Sequence, residues 1–579
     1  MKKTTLLATT LLAMTTTAAL AQTAPFETAA QAVTNMGLGW NLGNTLDANS
    51  QQVADINNPA YWGQQDLTSE NCWGQYTTRP ELLAMLKDAG FGAIRVPVTW
   101  YNHMDKDGNV DAAWMKRVHQ VVDYVVGQGL YCLLNVHHDT GADSYDDQGR
   151  LTGYHWLKAD EQNYAQNRSR YEHLWTQIAT EFRDYDQHLL FESYNEMLDA
   201  YSSWCYASMS APGGYSAQAA TTAYNGLNSY AQSFVSTVRA TGGNNATRNL
   251  VVNTYGACDG RGNWSTHLQE PITRMQVPAD PAAPGHIIIQ LHCYPGLKAG
   301  NLSSVKAEVQ SMMAYLKNTS QQKGVPFIIG EWGTIDWDSD VNYADNRQNF
   351  LSFCQYFVEQ AKACGIGTFY WIGISDGASR LFPAFSQADL AKTLLQAYHG
   401  TSYQPVLPVR SDYTNTCITA TVNYTNQWGE FNLFTGQTSA SDYSGIALEL
   451  ASAPAAGLLQ YKVYATAEKY QPITTAQSTL SFTAAMGTIS RITLQCLKSS
   501  GTVTVKNVWL LKKDGTRVPS DPSVFWGCTM TDVVLSGLVP VVSDATPQAD
   551  RRMYNLQGQR ISQPIKGLYI MGGRKYLVK

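Results

Sequence analysis

The chain has 579 residues, a net charge of −5 and 11 % aromatic side chains, among them 15 Trp and 33 Tyr. A chain of this length exceeds one ordinary domain and predicts two or more. It has no basic stripe, and no run of 18 or more apolar residues follows its N-terminal segment. We therefore expect neither a nucleic-acid partner nor a membrane span.

The N-terminal segment has the pattern of an export signal. It begins MKKTTLLATTLLAMTTTAALAQT, with Lys2 and Lys3 ahead of an apolar stretch and a small-residue pattern at Ala19-Leu20-Ala21. The stretch is too short and too rich in Thr for a membrane helix. We expect residues 1–21 to be a signal peptide and the protein to be secreted, whether it ends extracellular, at the cell surface or in the periplasm.

Short apolar runs alternate with helical patterns between residues 37 and 400. The runs occupy 37–44, 91–98, 130–138, 188–196, 249–256, 286–294, 326–333 and 367–373. The helical patterns occupy 79–90, 111–129, 221–240, 302–318, 343–363 and 387–398. Near-continuous apolar strands that alternate with helices are typical of a parallel sheet buried on both faces. Eight such units predict an α/β fold, a (β/α)8 TIM barrel over residues 25–403.

The sequence pattern changes after Pro405. Residues 411–540 hold alternating apolar and polar segments separated by turns rich in Gly, Ser and Asn, which predicts an antiparallel β-sandwich domain. Aromatic residues such as Tyr424, Trp428 and Phe431 favour carbohydrate binding by this sandwich, and a spacer is the alternative. Residues 543–550 resemble a linker, and the tail at 550–579 predicts three short strands.

Ten cysteines are present, with irregular spacing and no CxxC pair. This spacing predicts neither a zinc site nor a small disulfide scaffold. Cys354 and Cys364 fall on one predicted helix about 15 Å apart, too far for a disulfide. Cys205 and Cys258 follow neighbouring strands, and whether they pair stays open.

Polar residues collect at the carboxyl ends of the predicted strands. They are Asn41, Asn44, Arg95, His137, His138, Asp139, Asn195, Glu196, His292, Tyr294, Glu331 and Trp371. In TIM barrels these strand ends carry the chemistry, because they meet at one mouth. The coincidence at seven strands predicts an active site there.

Two carboxyl groups stand out among these residues. Glycoside hydrolysis uses one carboxyl to protonate the leaving oxygen and a second to attack or to activate water, and Glu196 and Glu331 fit these two positions. Glu331 must be ionised, and we expect Arg95 to lower its pKa. Glu196 must be protonated, and we expect burial and the other carboxylate to raise its pKa. Glu192 lies deeper and is expected to hold Arg95 or a histidine.

A metal centre is the alternative use of the histidines. His137 and His138 are adjacent, and alternation along a strand would point them to opposite faces, unlike an HxH pair. No carboxylate-rich cluster accompanies them in the sequence. We therefore expect neither a metal nor any other cofactor.

Seven motifs taken in order resemble glycoside hydrolase family 5, the retaining barrel glycosidases that include many bacterial cellulases. The motifs are GWNLGNTLDA, IRVPVTW, NVHHD, FESYNEM, LHCYP, GEWG and YWIG, and they span residues 37–373. The resemblance implies that Glu196 is the acid/base and Glu331 the nucleophile. It implies that Asn195 binds the sugar 2-hydroxyl and that Arg95 and Tyr294 orient the nucleophile.

The resemblance also assigns residues around the −1 sugar. His137 and His292 would flank this sugar, and Trp371 would form the platform beneath it. His138 and Asn41 belong to the same motifs and are taken as further substrate-binding residues.

These observations predict an exported, monomeric, retaining endo-β-1,4-glucanase that acts on cellulose-like or mixed β-glucan. The same machinery acting on xylan, xyloglucan or mannan is the closest alternative. A non-catalytic carbohydrate-binding barrel is an alternative of another class, but a binding protein would not need both Glu196 and Glu331. The tail resembles the C-terminal sorting segments of exported Bacteroidetes proteins, and a β appendage is the alternative.

Overall fold

The computed structural model describes residues 26–49, 66–145, 147–149, 151–153, 155–298, 300–334, 346–413 and 416–536, together with four short strands between 553 and 578. The expected signal peptide at 1–21 and linker at 543–550 lie outside the described residues. The chain forms two compact units: the first holds the residues up to Val409 together with Tyr424–Asn432 and Ser523–Thr529, and the second holds Arg410–Asn423, Leu433–Pro522 and the residues from Met530 onward.

Eight parallel strands close into a barrel in the first unit, which confirms the predicted TIM barrel. They are β1 (Leu38–Asn41), β2 (Ala93–Val96), β3 (Tyr131–Asn135), β4 (Leu189–Glu192), β5 (Leu250–Asn253), β6 (Ile287–Cys293), β7 (Phe327–Trp332) and β8 (Gly367–Trp371). Each strand pairs with the next, and β8 returns to β1 with Trp371 opposite Asn41. Closure places all eight carboxyl ends around one mouth.

Helices surround the strands. They are α1 (Ala29–Met36), α2 (Pro80–Ala89), α3 (Ala112–Val126), α4 (Glu161–Glu181), α5 (Ala217–Ala240), α6 (Glu270–Thr273), α7 (Leu302–Lys323), α8 (Arg347–Cys364), α9 (Ala378–Leu381) and α10 (Ala388–His399). Pro80 begins α2 and Gly90 ends it at φ 114°, which agrees with the helical pattern predicted at 79–90.

Two helices differ from the expected one-strand, one-helix pattern. The 21-residue α4 was not predicted, because its exposed surface is polar along most of its length and only five of its residues are buried. Between β5 and β6 the structure has only the four-residue α6 instead of a full helix. The long loop that replaces this helix lies at the carboxyl end of β5, on the side of the active site.

A small apolar cluster fills the interior of the barrel from below. Residues that point inward from the strands pack against Ala29, Val33 and Met36 of α1. Thr28 caps α1 in a capping box with Gln31, which fixes the helix at its start. Because this plug closes the amino-terminal end of the barrel, polar side chains gather at the other end.

The C-terminal region forms two antiparallel sheets, as predicted for a β-sandwich. Its strands are β9 (Cys417–Tyr424), β10 (Glu430–Ser439), β11 (Tyr443–Leu450), β12 (Leu459–Tyr464), β13 (Lys469–Ile473), β14 (Gln477–Ser481), β15 (Thr488–Cys496), β16 (Gly501–Lys512), β17 (Arg517–Pro519), β18 (Ser523–Trp526) and β19 (Cys528–Ser536). One sheet has the order β14-β11-β16-β9-β19, with β17 on β16, and the other has the order β13-β12-β15-β10-β18.

Of the three sandwich aromatics proposed for carbohydrate contact, two are core residues. Tyr424 is 3 % exposed and Phe431 is fully buried, whereas Trp428 is 49 % exposed. Both buried residues lie in strands whose alternate side chains face the opposing sheet. The prediction for Tyr424 and Phe431 was therefore wrong.

The tail contains four strands instead of the predicted three. They are Met553–Tyr554, Arg560–Ile561, Gly567–Met571 and Arg574–Val578, and they form one antiparallel sheet.

No disulfide joins any of the ten cysteines, all of which lie in the described residues, so Cys205 and Cys258 are not paired with each other. Cys354 and Cys364 share helix α8, as predicted, so they cannot reach each other. Within the described residues, no helix has the length and apolarity needed to cross a membrane.

Candidate active site

The predicted site residues converge at the carboxyl ends of the strands. Glu331 lies in β7, His292 lies in β6, and Tyr294 follows β6 directly. Glu196 lies four residues beyond the end of β4. A carboxylate oxygen of Glu196, a nitrogen of His292 and a carboxylate oxygen of Glu331 all lie within 4.8 Å of one another.

Arg95 forms the floor of this site. It is fully buried in β2, and its side chain has five N–H donors. Nε and Nη2 donate to the two oxygens of Glu192 at 2.7 Å each, and Nη2 also donates to Asn195 Oδ1 at 2.8 Å. Nη1 donates to Glu331 Oε1 at 2.6 Å and to Asn41 Oδ1 at 3.0 Å. One guanidinium thus fixes two carboxylates and two amides.

Glu192 holds Arg95, as the sequence predicted. It is fully buried and also accepts hydrogen bonds from Asn135 at 3.1 Å and Asn253 at 3.2 Å. Burial alone would raise the pKa of Glu192, but the charge and hydrogen bonds of Arg95 lower it below its ordinary value. Glu192 is therefore a permanent anion below the cleft.

Asn41 supports the barrel instead of facing the cleft. Its side chain is fully buried, and Nδ2 donates to the backbone oxygens of Gly330, Phe369 and Tyr370 at 2.9–3.3 Å. Because Oδ1 is bound to Arg95 and the side chain is fully buried, the amide is not accessible to a sugar. The expectation that Asn41 binds substrate directly was therefore wrong, because its strand position turns the amide toward β7 and β8.

The carboxylate of Glu331 is held at both oxygens. Arg95 binds Oε1, and the Tyr294 hydroxyl donates to Oε2 at 2.8 Å. Burial raises the pKa of Glu331, and His292, Arg95 and Tyr294 offset only part of this rise. The expected lowering by Arg95 exists, but the loss of hydration outweighs it. Arg95 and the Tyr294 hydroxyl still stabilise a negative charge at this carboxylate.

Glu196 has a different environment. Its side chain is 24 % exposed, against 6 % for Glu331, and its carboxyl oxygen Oε1 lies 2.8 Å from His292 Nδ1. Burial raises the pKa of Glu196 to about 7, and the distant charge of Arg95 opposes the rise. This direction agrees with the predicted protonated state near neutral pH.

His292 links the two carboxyl groups. Its Nδ1 lies 2.8 Å from Glu196 Oε1 and 3.5 Å from Glu331 Oε2. Burial lowers the pKa of His292 to about 4, although the charge of Glu331 acts in the opposite direction. The imidazole is therefore neutral at working pH, and its Nδ1 shares a hydrogen bond with Glu196.

Four aromatic rings form a row beside the carboxyl pair. The ring of His137 is parallel to Trp371 with centroids 5.8 Å apart, and it meets His138 edge-on at 4.5 Å. His138 in turn meets Trp73 at 5.2 Å. Burial lowers the pKa of both histidines, that of His138 to about 3. The row therefore carries no charge.

The expectation that His137 and His138 point to opposite faces was wrong. Strand β3 ends at Asn135, so both histidines lie beyond the strand, where side chains no longer alternate. Both can reach the cleft region. Their side chains are 2 % and 28 % exposed, so His138 is the more accessible of the two.

Two groups in the described residues have the spacing of metal ligands: Asp47 with His137 and His138, and Glu196 with His292 and Glu331. In the first group Asp47 already accepts hydrogen bonds from the backbone of Asn44 and Thr45 at 3.0 and 2.8 Å. In the second group the oxygens of Glu331 are engaged by Arg95 and Tyr294. In each group, one carboxylate is thus already engaged by protein hydrogen bonds.

The structure adds cleft residues that sequence reasoning did not identify. A cavity of about 440 Å³ opens beside Glu196, His292 and Tyr294, and Trp204 and Trp264 also line it. These two tryptophans are 43 % and 59 % exposed. Both lie in loops that follow β4 and β5, and that position was the signal available in the sequence.

The other tryptophans in or near the loops of the barrel differ in burial. Trp40, Trp100 and Trp156 are buried in the core, whereas Trp73 is 40 % exposed beside His138. Trp62 lies outside the described residues. Loop position alone did not distinguish these residues, because loops that fold back onto the barrel bury their large apolar side chains.

The sequence matches a known family and known enzymes. The model of the cellulase family, glycosyl hydrolase family 5, matches residues 46–376. Endoglucanase B of Neocallimastix patriciarum is 31 % identical over 371 residues, which cover 62 % of this chain and 68 % of that protein. Endoglucanase A of Paenibacillus barcinonensis is 31 % identical over 381 residues, which cover 59 % of this chain and 82 % of that protein.

The chain also matches solved structures of family 5 enzymes. A broad-specificity endoglucanase from an uncultured bacterium is 53 % identical with a TM-score of 0.59, covering 65 % of this chain and 96 % of that one. A family 5 enzyme of Prevotella bryantii B14, solved in complex with a xyloglucan tetradecasaccharide, is 38 % identical with a TM-score of 0.53. The match covers 65 % of this chain and 99 % of that one. With the barrel and the carboxyl pair at its mouth, these matches show that the chain is a glycoside hydrolase and belongs to glycosyl hydrolase family 5, the cellulase family.

Proposed function

We propose that the protein is a retaining endo-β-1,4-glucanase that cleaves cellulose-like or mixed β-glucan by double displacement. The observation that carries this proposal is the short distance between Glu196 and Glu331. One carboxylate oxygen of Glu196 lies within 4.8 Å of one carboxylate oxygen of Glu331. Carboxyl groups about 5–5.5 Å apart belong to retaining enzymes, and about 6.5–9.5 Å is needed to admit the water of an inverting enzyme. The short separation therefore favours direct attack by a carboxylate.

In the first step Glu331 attacks the anomeric carbon. Arg95 and Tyr294 hold its two oxygens and stabilise its charge, so the carboxylate is anionic and fixed in orientation before substrate arrives. A covalent glycosyl-enzyme forms as the glycosidic bond breaks. Glu196 gives its proton to the leaving oxygen, which its raised pKa and partial exposure permit.

In the second step Glu196 acts as a base. Once Glu331 is esterified, its negative charge is gone, so the pKa of Glu196 falls and its carboxylate can take a proton from water. That water attacks the anomeric carbon and releases Glu331. The neutral His292 touches both carboxyl groups and keeps them oriented through both steps.

The remaining polar residues would bind the sugar at the point of cleavage. Asn195 Oδ1 is fixed by Arg95, which leaves its Nδ2 to reach a sugar hydroxyl. His137 and Trp371 present parallel rings, the arrangement that suits the apolar face of a pyranose. His138 and Trp73 extend this surface, and Trp204 and Trp264 line the cavity next to Glu196.

Glucan is the first choice of substrate because the named relatives are endoglucanases. Xyloglucan is a second candidate, since the Prevotella bryantii enzyme was solved with a xyloglucan fragment. A panel of purified β-glucan, xyloglucan, xylan and mannan with product analysis distinguishes these. We expect the highest kcat/KM on β-glucan or xyloglucan and internal cleavage. Activity confined to xylan or mannan would contradict the proposal.

The stereochemistry is testable in the same reaction. Proton NMR of early hydrolysis detects the first anomer before mutarotation, and we expect the β-anomer. A first-formed α-anomer would mean that Glu331 activates water instead of attacking.

We further propose that the protein is exported as a monomer after removal of residues 1–21. The Lys-led apolar start and the Ala19-Leu20-Ala21 pattern support cleavage near Gln22. The tail at 550–579 is proposed as a sorting segment on sequence resemblance alone. N-terminal sequencing and sedimentation of the exported protein test cleavage and oligomeric state.

A further inference from the structure

Three large aromatic side chains are exposed at one end of the five-stranded sheet of the sandwich. Trp428 precedes β10, and Phe525 and Trp526 end β18, the edge strand that pairs with β10. They are 49 %, 38 % and 42 % exposed. Exposed tryptophans grouped on one surface mark interaction sites more often than chance placement does. We call these three residues the aromatic platform.

Backbone contact brings the two tryptophans together. A side chain built on Gly429 would come within 2.5 Å of the Gly527 carbonyl oxygen, and one built on Gly527 would come within 2.9 Å of the Gly429 Cα. Each tryptophan immediately precedes one of these touching glycines. Trp526 also pairs with Glu430 between β18 and β10, and Glu430 lies two residues after Trp428 in the chain. The two indoles therefore project from adjacent points on the surface.

The platform has features that folding alone does not explain. Trp428 has φ 68°, a left-handed conformation that is strained for a residue with a bulky side chain. Glycine would adopt it freely. A bulge at Glu430/Phe431 interrupts the alternation, and Phe525 and Trp526 are both exposed although they are consecutive. Strain and exposure at the same place are typical of ligand sites.

The residues next to the platform in the sequence favour a neutral, hydroxyl-rich ligand. The platform lies in the fully described segments 424–432 and 523–529, where the only Asp, Glu, Lys or Arg side chain is Glu430, which is 2 % exposed. The exposed sequence neighbours Thr425 and Asn426 carry a hydroxyl and an amide group. A phosphate backbone would require cations and an acidic peptide would require Arg or Lys.

We infer that the aromatic platform formed by Trp428, Phe525 and Trp526 is a binding site for a β-1,4-linked glucan chain, separate from the catalytic cleft. The flat faces of equatorially substituted glucose carry only C–H groups, so they stack on indole rings while their edges meet amides and hydroxyls. The choice of glucan rests on the proposed function, whereas the location of the site does not.

The test compares binding of the full chain to microcrystalline cellulose in the cold. The variants are Trp428→Gly, Trp526→Ala and the double change. Tyr470→Ala is the matched control, because Tyr470 is 51 % exposed on β13, at the other edge of the same sheet. We expect each platform variant to bind about fivefold more weakly and the control to bind as the wild type. Residual binding of the double variant belongs to the cleft.

Folding and catalysis are measured alongside. Trp428→Gly removes the strained conformation, so its Tm should not fall, and all variants should keep wild-type kcat/KM on soluble cello-oligosaccharides. Wild-type cellulose binding by the double variant would overturn the inference. Sedimentation that shows a dimer abolished by Trp428→Gly would also overturn it, because a second copy would then be the occupant. If the wild type hydrolyses no β-glucan but loses cellulose binding in the platform variants, only the proposed function fails.

Discussion

At the residue scale, Arg95 is the group on which the geometry of the site depends. It neutralises Glu192 and Glu331 where water is excluded, and its two amide contacts keep Asn41 and Asn195 in place. Buried ion pairs add little net stability when both partners are present, but the loss of one partner leaves an uncompensated charge.

Removal of Arg95 should therefore affect both stability and activity. Arg95→Met is expected to destabilise the barrel by about 3–5 kcal/mol in denaturant unfolding. The double variant Arg95→Met with Glu192→Met should recover part of this loss, because one buried anion is gone, but it should not recover activity, since Glu331 still lacks its partner. A single variant that unfolds like the wild type would contradict this account of Arg95.

The pH dependence of activity should reflect the raised pKa of Glu196. The leaving oxygen needs a proton from Glu196, so kcat/KM should be high below the pKa of about 7 and should fall as pH rises through it. On the acidic side, activity should rise as Glu331 loses its proton. Glu196→Gln should reduce kcat on cello-oligosaccharides by about 10²–10⁴-fold and remove the alkaline limb.

An aryl glycoside with a good leaving group provides the control for Glu196. Such a substrate needs little protonation, so Glu196→Gln should slow formation of its glycosyl-enzyme far less. An alkaline limb that persists unchanged in Glu196→Gln would assign the titration to another group.

At the element scale, most of the barrel could be predicted from sequence because buried parallel strands are nearly all apolar. The eight runs contain the eight strands, and Pro80 and Gly90 set the limits of α2. Helix α4 was missed because its polar surface hides the few residues that face the strands. Periodicity detects a helix only where one face is clearly apolar.

The sequence predicted which residue types form the site better than it predicted the directions of their side chains. The residue types at the strand ends identified the carboxyl pair and Arg95. The side-chain directions of Asn41 and His138 depended on where β1 and β3 end, and an end point that moves by one or two residues reverses the predicted face. Trp204 and Trp264 depended on loop folding, which no local pattern encodes.

The close packing of α4 on α5 predicts how a substitution at Gly226 changes stability. Gly226 lies within α5, where glycine normally weakens a helix. A side chain there would come within 2.4 Å of the backbone of Asp160, the N-cap of α4. Gly226→Ala should therefore destabilise the protein by about 1–3 kcal/mol in spite of the better helix propensity of alanine.

Ser229→Ala is the matched control for Gly226, because Ser229 is a half-buried residue of the same helix. It should change the unfolding free energy by less than about 0.5 kcal/mol. A stabilised Gly226→Ala variant would mean that the two helices can move apart without cost.

At the scale of the whole molecule, the first compact unit carries every proposed catalytic group. Tyr403 donates to the Ala89 carbonyl at 2.9 Å, and Phe385 donates to the Pro408 carbonyl at 2.7 Å, so the chain is attached to the barrel up to this point. A chain that ends at Val409 should hydrolyse soluble cello-oligosaccharides with about the kcat of the full chain. A large loss of kcat in a folded, shortened chain would show that later residues contribute to the site.

Glu331 is proposed to form a covalent bond to the sugar in the first step. A 2-fluoro cello-oligosaccharide with a good leaving group slows the second step more than the first, so the glycosyl-enzyme accumulates. Peptide mapping by mass spectrometry should then find one sugar adduct per chain, on Glu331. An adduct on Glu192 or Glu196, or turnover with no adduct, would contradict the account.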